Sequence, residues 1–306
     1  MPMAYAFTAF GGPEVEEFVD LPRPAPGPGQ LLVKVRAAGI NPADWKRRAG
    51  MRPPGTPEPE FPVVFGSEVA GVVEETGEGV EGFLPGSAVF GNPVTGGYAE
   101  YTLLPVELAA YKPPQVSFTD AATLPIAAAT AYDGIRQLGL PRGAALLITG
   151  VGGGVGVAAA QIAVRDGLRV IGTASAGKKS FVEALRVTHV KPGAGVAERV
   201  LAAAPAGVGG IFDLVGGTAL EDVASVLEDR TKLISAADRE TVARLGGSPV
   251  ARARNREVLD AVARMVATGS LRPMVTSTFP LDAAPEALRL VEAGHARGKI
   301  VLEAGE

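Results

Sequence analysis

The residues whose types and spacing best suit chemistry are the glycines of Leu146-Leu147-Ile148-Thr149-Gly150-Val151-Gly152-Gly153-Gly154-Val155-Gly156. An apolar run ends in them, and a small-residue helical pattern follows from Val157 to Ala163. That order reads as a strand, a tight turn and a helix start. In a βαβ unit such a turn lets the pyrophosphate of a dinucleotide approach bare backbone at a helix N-terminus. The spacing is G-x-x-G-x-x-G, on Gly150, Gly153 and Gly156, instead of the strict G-x-G-x-x-G. Gly150, Gly153, Gly154, Val155 and Gly156 are the candidate cofactor-binding residues of the turn. Two other readings compete. The uncharged stretch Ala144 to Val164 is long enough for a membrane span. Five glycines in seven residues, however, would cost a helix about 1 kcal/mol each relative to alanine. A purely structural glycine loop is the second alternative. A P-loop is disfavoured, because no Lys-Ser/Thr pair follows the glycines.

The next strand decides between dinucleotides. Arg169-Val170-Ile171-Gly172-Thr173 runs into Ala174-Ser175-Ala176-Gly177-Lys178-Lys179. An NAD binder usually carries Asp or Glu here to hold the ribose 2′-OH. This chain has no acid there. A hydroxyl and two cations suit a 2′-phosphate, which favours NADPH. The alternative is a solvated basic turn.

These residues must be positioned by two kinds of structure. Residues 1–125 read as mostly β: Leu31 to Ala38 alternates, and Val63–Val73 and Gly97–Leu104 are further strand candidates. The loops between them are dense in Pro and Gly. The middle of the chain alternates strand and helix. Strands are expected at Ala144–Thr149, Arg169–Thr173, Gly210–Val215 and Thr231–Ser235. Helices are expected at Val155–Asp166, Lys179–Leu185 and Ala219–Leu227. That alternation argues for a parallel sheet. Val258, Leu259, Val262, Met265 and Val266 form a helical stripe ended by Gly269. A strand (Met274–Phe279), a helix opened by Asp282 and closed by Gly294, and a last strand (Lys299–Glu303) follow.

Composition narrows the classes. The chain has 306 residues, is 47% hydrophobic and carries a net charge of −4. It can bury a sizeable core and has no strong basic patch, so no nucleic-acid partner is expected. No secretory signal pattern opens the chain, and the expected location is the cytoplasm, with no membrane association. Cysteine is absent, which excludes disulfides, thiolate nucleophiles and cysteine-ligated metals. The two histidines, His189 and His295, lack helical i, i+4 spacing and read as surface or packing residues, so no metal site is expected.

Several separated segments together resemble one family. Gly39-Ile40-Asn41-Pro42-Ala43-Asp44 is similar to the G-[IV]-N-P-x-D motif of the medium-chain dehydrogenases/reductases. Gly66-Ser67-Glu68-Val69-Ala70-Gly71-Val72 resembles their G-x-[ED]-x-A-G-x-V motif. Thr123-Leu124-Pro125 with Thr130-Ala131-Tyr132 resembles the helix before the cofactor domain, and Asp213-Leu214-Val215-Gly216-Gly217 resembles the D-x-V-G-G turn. Gly294 to Leu302 resembles the C-terminal strand. The closest resemblance is to the zinc-independent quinone oxidoreductase branch, since the usual G-H-E is Gly66-Ser67-Glu68 here.

That resemblance implies an α/β fold. A GroES-like β-rich substrate domain (1–125 and 272–306) would surround a Rossmann doubly wound parallel sheet domain (126–271). A homodimer is implied as well. Asn41 would lie near the nicotinamide or substrate, Thr130 near the nicotinamide amide, and Trp45 would form an apolar wall. Ser175 and Lys178 would take the 2′-phosphate, with Lys179 as the near alternative. Val215, Gly216 and Lys299 would add cofactor contacts. Read from the residues alone, Asn41-Pro42 is also a turn signal, Trp45 a core residue, Asp44 structural and Glu68 a buried ion-pair partner. The chain departs from the family in two places. It reads Leu185-Arg186-Val187-Thr188-His189-Val190-Lys191-Pro192 where an aromatic usually stands, and Ala236 to Asn255 is short.

The implied activity is hydride reduction of quinones or α,β-unsaturated carbonyl compounds by NADPH. Without a Lewis-acid metal these substrates ask least of the protein, because they delocalise the charge that develops on oxygen. Tyr98 and Tyr132 are the candidate proton donors, with water the alternative. Two further readings stand beside this one: an NADPH-binding sensor or structural protein with little catalysis, and a metal-free alcohol dehydrogenase. The last would need a clear base, and none is visible.

Overall fold

A computed structural model describes residues 1–52, 55–294 and 296–305. His295 therefore lies outside the described residues. The early strands are β1 (Met3–Phe7), β2 (Glu16–Asp20), β3 (Gln30–Gly39), β4 (Val63–Val64), β5 (Val69–Thr76), β6 (Ala88–Gly91), β7 (Tyr101–Pro105) and β8 (Ala109–Tyr111). The middle strands are β9 (Ala145–Ile148), β10 (Arg169–Thr173), β11 (Val187–Val190), β12 (Gly210–Asp213), β13 (Leu233–Ser235) and β14 (Ser248–Pro249). The last are β15 (Val275–Pro280) and β16 (Lys299–Glu303). The chain forms two compact units. Unit 1 is Met1–Ile126, Arg254–Ala267 and Val275–Glu306; unit 2 is Ala127–Ala253 and Thr268–Met274.

In unit 1 the main sheet runs β15-β16-β3-β5-β6-β8, and β7 also pairs with β3. Its central strand buries Leu31, Val33, Val35 and Ala37 while Lys34 and Arg36 stay half-buried. The period-2 pattern thus becomes one packed face. Register shifts between β3 and β5, at Leu32/Val33 and at Val35/Ala37, curl the pair. A smaller sheet, β2-β1-β4, packs Tyr5, Phe7, Phe65 and Tyr98 with Leu281, Leu288 and Leu302, residues from both ends of the chain.

Here the structure differs from the single strand expected over 63–73. The segment breaks into β4, paired with β1, and β5, paired with β3. Gly66 at φ +94° makes the break, a conformation that favours glycine. A Cβ there would also stand 2.5 Å from the Tyr98 ring. The break carries the chain from one sheet to the other and leaves Ser67 and Glu68 at the corner.

In unit 2 the strand order is β11-β10-β9-β12-β13-β14, all parallel. Numbered within the unit this is 3-2-1-4-5-6, the doubly wound Rossmann order. Residues 144–164 form β9, the glycine turn and the helix Gly154–Arg165, in place of a membrane span. Among the described residues no helix is long and apolar enough to cross a membrane.

Some boundaries move. The helix after β10 ends at Glu183 instead of Leu185, just before Arg186 at φ 62°. The helix expected to open at Asp282 opens at Ala284, after a 3-10 turn over Leu281–Ala283. The helix Arg256–Ala267, expected with the central domain, groups with unit 1. Its Arg256 guanidinium lies 4.9 Å from the Phe83 ring centroid and 5.8 Å from that of Tyr111, both in unit 1.

Candidate active site

In unit 2 the chemistry begins where β9 stops. Gly150 takes φ +64°, and a Cβ there would press on Val215 Cγ2 at 2.9 Å. The glycine turn and the β12 turn therefore lie against each other. The Gly150 amide donates to Thr173 Oγ1 (3.3 Å) and the Val151 amide to Thr173 O (3.1 Å), which ties the turn to β10. At Gly156 a Cβ would meet the Val151 backbone at 2.6 Å, so the helix sits as close to the turn as a hydrogen allows. The N-cap, Gly153, offers no side-chain cap. The first amides of this 12-residue helix, at Gly154, Val155 and Gly156, are left for an anion.

Lys178 lies over this turn: a Cβ on Gly152 would meet its Cδ at 2.8 Å. Ser175 is exposed just beyond β10, and its carbonyl accepts from the Lys178 amide (2.9 Å). Lys179 faces Glu183, 3.9 Å away in an exposed i, i+4 pair. The structure thus gathers Gly150, Gly152, Lys178 and Val215. Val215 is 52% exposed. Gly216, at φ +81°, would strike Asp238 Cβ at 2.6 Å with any side chain. Thr130 is buried in the helix Ala129–Leu138 of the same unit. His189 spends its Nε2 on Ala174 O at 2.8 Å.

A residue not singled out from the sequence organises these turns. Asp213, at the end of β12, is fully buried. It accepts from Thr149 Oγ1 (2.6 Å), Ser235 Oγ (2.6 Å) and the amides of Val215 (3.2 Å) and Gly216 (3.1 Å). Thr149 Oγ1 in turn accepts from the Leu214 amide, and Ser235 Oγ from those of Ala237 and Asp238. One carboxylate therefore fixes the loops that leave β9, β12 and β13. Its signals in sequence are an acid closing an apolar strand and its place at the head of the D-x-V-G-G turn, neither of which shows the hydroxyls it gathers.

In unit 1, Lys299, Glu68 and Asn41 form a second cluster. The Lys299 ammonium, 5% exposed, donates to Glu68 Oε1 (2.7 Å), Asn41 Oδ1 (2.8 Å) and Ile40 O (2.8 Å). An ammonium has three protons, and these contacts use them all. Lys299 thus holds the cluster together and has no proton left to offer a ligand. Glu68 also accepts from Asn41 Nδ2 and from the Ile126 amide, each at 2.8 Å. The buried charges are thereby paired and hydrogen-bonded, the condition under which burial is tolerated.

Asn41 and its neighbour Asp44 open the helix Pro42–Arg48. Asp44 Oδ2 accepts from the Asn41 amide (2.8 Å) and the Tyr98 hydroxyl (2.8 Å), and Ser67 Oγ donates to Oδ1 (3.2 Å). Burial pushes the Asp44 carboxyl up to about 6, against the pull of the Asn41 amide, the Tyr98 hydroxyl and Lys299. Burial and the adjacent Asp44 raise the Tyr98 phenol in turn. Trp45 is half-buried against the core of Tyr5, Phe7 and Phe65, with Lys46 Nζ 5.8 Å from the centre of its ring.

A pH dependence follows. The folded value for Asp44 lies above the usual carboxylate range, so the native state binds the extra proton. The stabilisation from protonated Asp44 is complete below about pH 4 and is lost as pH rises through about 6. Between pH 4.5 and 7.5 wild type should lose roughly 1–3 kcal/mol relative to Asp44→Asn. Urea midpoints read by Trp45 fluorescence test this; parallel profiles for the two proteins would refute it.

With both clusters placed, comparisons with known proteins become informative. Residues 27–114 match the alcohol dehydrogenase GroES-like domain, and residues 187–302 match the zinc-binding dehydrogenase domain. The chloroplastic quinone-oxidoreductase QR1 of Triphysaria versicolor is 32% identical over 322 residues, covering 96% of this chain and 95% of the relative. The 2-methylene-furan-3-one reductase of Solanum lycopersicum is 30% identical over 317 residues, covering 98% of this chain and 78% of the relative. A mycobacterial protein, Rv1454c, solved in complex with NADPH, superposes with a TM-score of 0.88 at 28% identity, covering 99% of this chain and 100% of that one. An end-to-end match of this kind, on a chain with the 3-2-1-4-5-6 sheet and a glycine turn at its first crossover, leaves one assignment: the protein is an oxidoreductase of the quinone-oxidoreductase-like medium-chain dehydrogenase/reductase family.

Proposed function

We propose that the protein reduces quinones or α,β-unsaturated carbonyl compounds with NADPH and without zinc. The observation that carries the cofactor choice is Lys178 laid over the glycine turn at the end of a strand that brings no acid. NADPH supplies the hydride. Gly150, Gly153, Gly154, Val155 and Gly156 offer backbone to the pyrophosphate, and Ser175 and Lys178 take the 2′-phosphate. Lys179, paired with Glu183, is the lesser contributor. Val215 and Gly216 continue the cofactor surface on the neighbouring turn. In unit 1, Asn41, its amide held by Lys299 and Glu68, lies beside the substrate, with Trp45 as an apolar wall.

Zinc does not fit the donors. The chain has no cysteine. Ser67 stands where the family's zinc branch has histidine, and Glu68 and Asp44 are already committed to Lys299, Tyr98 and backbone amides. Tyr98, wholly buried and bonded to Asp44, has no open proton either, which leaves Tyr132, whose hydroxyl oxygen accepts from Arg136 (3.3 Å), or water to supply the proton. The names of the relatives support the substrate class: one is a quinone oxidoreductase and another reduces an exocyclic enone.

The test is oxidation of NADPH and of NADH with 1,4-benzoquinone, 9,10-phenanthrenequinone and a small enone. Lys178→Ala should raise KM for NADPH about 10- to 100-fold, the worth of one charge-assisted hydrogen bond. It should leave NADH almost unchanged, and Lys179→Ala should cost less than about threefold. A wild-type preference for NADH would overturn the 2′-phosphate assignment. Tight NADPH binding with no acceptor-dependent oxidation would overturn the reductase.

A further inference from the structure

Where the chain leaves β10, Ala174 makes two bonds toward β11. Its amide donates to Val190 O (3.3 Å), and its carbonyl accepts from His189 Nε2 (2.8 Å). In a parallel ladder, a residue whose amide reaches position 190 would accept in turn from the amide of position 192. That position is Pro192, which has no amide hydrogen. The His189 side chain therefore makes the bond that the backbone of its own strand cannot. A carbonyl only accepts, so Nε2 carries the proton, as it does both in one neutral tautomer and in the imidazolium. The loop after β11 is held elsewhere: the Arg199 guanidinium donates to Lys191 O (2.7 Å), Gly193 O (3.1 Å) and Ala194 O (2.8 Å).

The peptide between Ala174 and Ser175 is trans, so its N–H points opposite to its carbonyl. With the carbonyl turned to His189, the Ser175 amide is turned to the other neighbour of β10. On that side stands the glycine turn, whose Val151 amide donates to Thr173 O (3.1 Å). Lys178 lies over the same turn. Among the described residues neither the Ser175 amide nor its hydroxyl has a hydrogen-bond partner, and Ser175 is exposed. We propose that His189 is a positioning residue for cofactor choice. It fixes the plane of the Ala174–Ser175 peptide, so that the Ser175 amide joins the Ser175 hydroxyl and Lys178 in holding a 2′-phosphate. This role rests on Ser175 and Lys178 being the 2′-phosphate site.

The readout is the Kd for NADPH and for NADH, from equilibrium titrations of nicotinamide fluorescence, because the two differ only in the 2′-phosphate. His189→Leu should weaken NADPH about tenfold and leave NADH within about twofold of wild type. His189→Gln keeps a side-chain N–H for the same carbonyl and should bring NADPH back to within about threefold of wild type. A second pair of variants leaves His189 in place. Ser175→Ala removes the hydroxyl alone. Ser175→Pro removes the amide hydrogen as well, and the φ of −58° at this position suits proline. The proline variant should bind NADPH at least about fivefold more weakly than the alanine variant, with NADH alike in both. Equal affinity of wild type for NADPH and NADH would overturn the phosphate site, and this role with it. If wild type prefers NADPH and Lys178→Ala abolishes that preference, the site stands and His189 is tested alone. Its role is then overturned by equal weakening of both cofactors in His189→Leu, by no weakening at all, or by Ser175→Pro binding NADPH as well as Ser175→Ala.

Discussion

Arg48→Met should destabilise unit 1 by about 3–5 kcal/mol, the usual cost of leaving one partner of a buried ion pair uncompensated. The Arg48 side chain is 2% exposed and is paired with Glu16, itself 3% exposed. It also reaches Glu292 (2.8 Å), and its Nε donates to Gly11 O (3.1 Å). Glu16 further accepts from the Tyr5 hydroxyl, whose ionisation burial and that contact suppress. One guanidinium thus joins β2, the helix Pro42–Arg48 and the helix Ala284–Glu292. Methionine fills much of the volume but leaves the Glu16 carboxylate in the core with only a phenol. The sole tryptophan of the chain, Trp45, lies one turn away on the same helix, so its fluorescence reports this unit. The double variant Arg48→Met/Glu16→Gln should regain at least half of the loss, because the stranded charge is then gone. Equal destabilisation of single and double variants would show that the packing of Arg48 matters, and not its charge.

Asp213→Ala should have a comparable effect on unit 2, about 4 kcal/mol or more. It removes the shared acceptor of two hydroxyls and two amides at a fully buried position, and each unsatisfied group costs about 1–3 kcal/mol. Asp213→Asn is the sharper probe. One oxygen can still accept from Thr149, but the new amide nitrogen faces the Gly216 amide, donor against donor, or forces Ser235 to turn. A loss of about 2–3 kcal/mol is expected. Amide exchange in β9, β12 and β13 is the appropriate readout, since unit 2 contains no tryptophan. Faster exchange confined to the loops after those strands would mark Asp213 as a local fastener, whereas uniform acceleration would mark it as a support of the whole sheet. Unchanged exchange in both variants would refute the assignment.

Much of the architecture was legible because it rests on period and punctuation. The glycine turn after Ile148 and the apolar strands of unit 2 announce a parallel sheet, and the structure has one. The alternation of Leu31–Ala38 lies within β3. What escaped is what depends on distant partners. The apolar run 63–73 looked like one strand. Only the Tyr98 ring packed against Gly66 shows why the chain must turn there. The helix Arg256–Ala267 follows directly on the central sheet in sequence, yet the aromatic surface of Phe83 and Tyr111 draws it to unit 1. Lys299 is a cofactor contact only by the family resemblance, and nothing near it in sequence shows what else it would bind. Its use is Glu68, 231 residues away. Asp213 was quoted as part of a motif but not as a hub, since the hydroxyls it gathers come from positions 64 residues upstream and 22 downstream.

The divided layout of unit 1 has a consequence for synthesis on the ribosome. Residues 1–126 emerge first, with β3 waiting for β16 and Glu68 and Asn41 waiting for Lys299. About 170 more residues must be made before that lysine appears, ~10–35 s at ordinary elongation rates. Unit 2 lies almost wholly within that interval and can close while the earlier strands of unit 1 still have a buried acid without its cation. The nascent chain therefore carries an incomplete sheet for much of its translation, a window in which holdase chaperones would find their target.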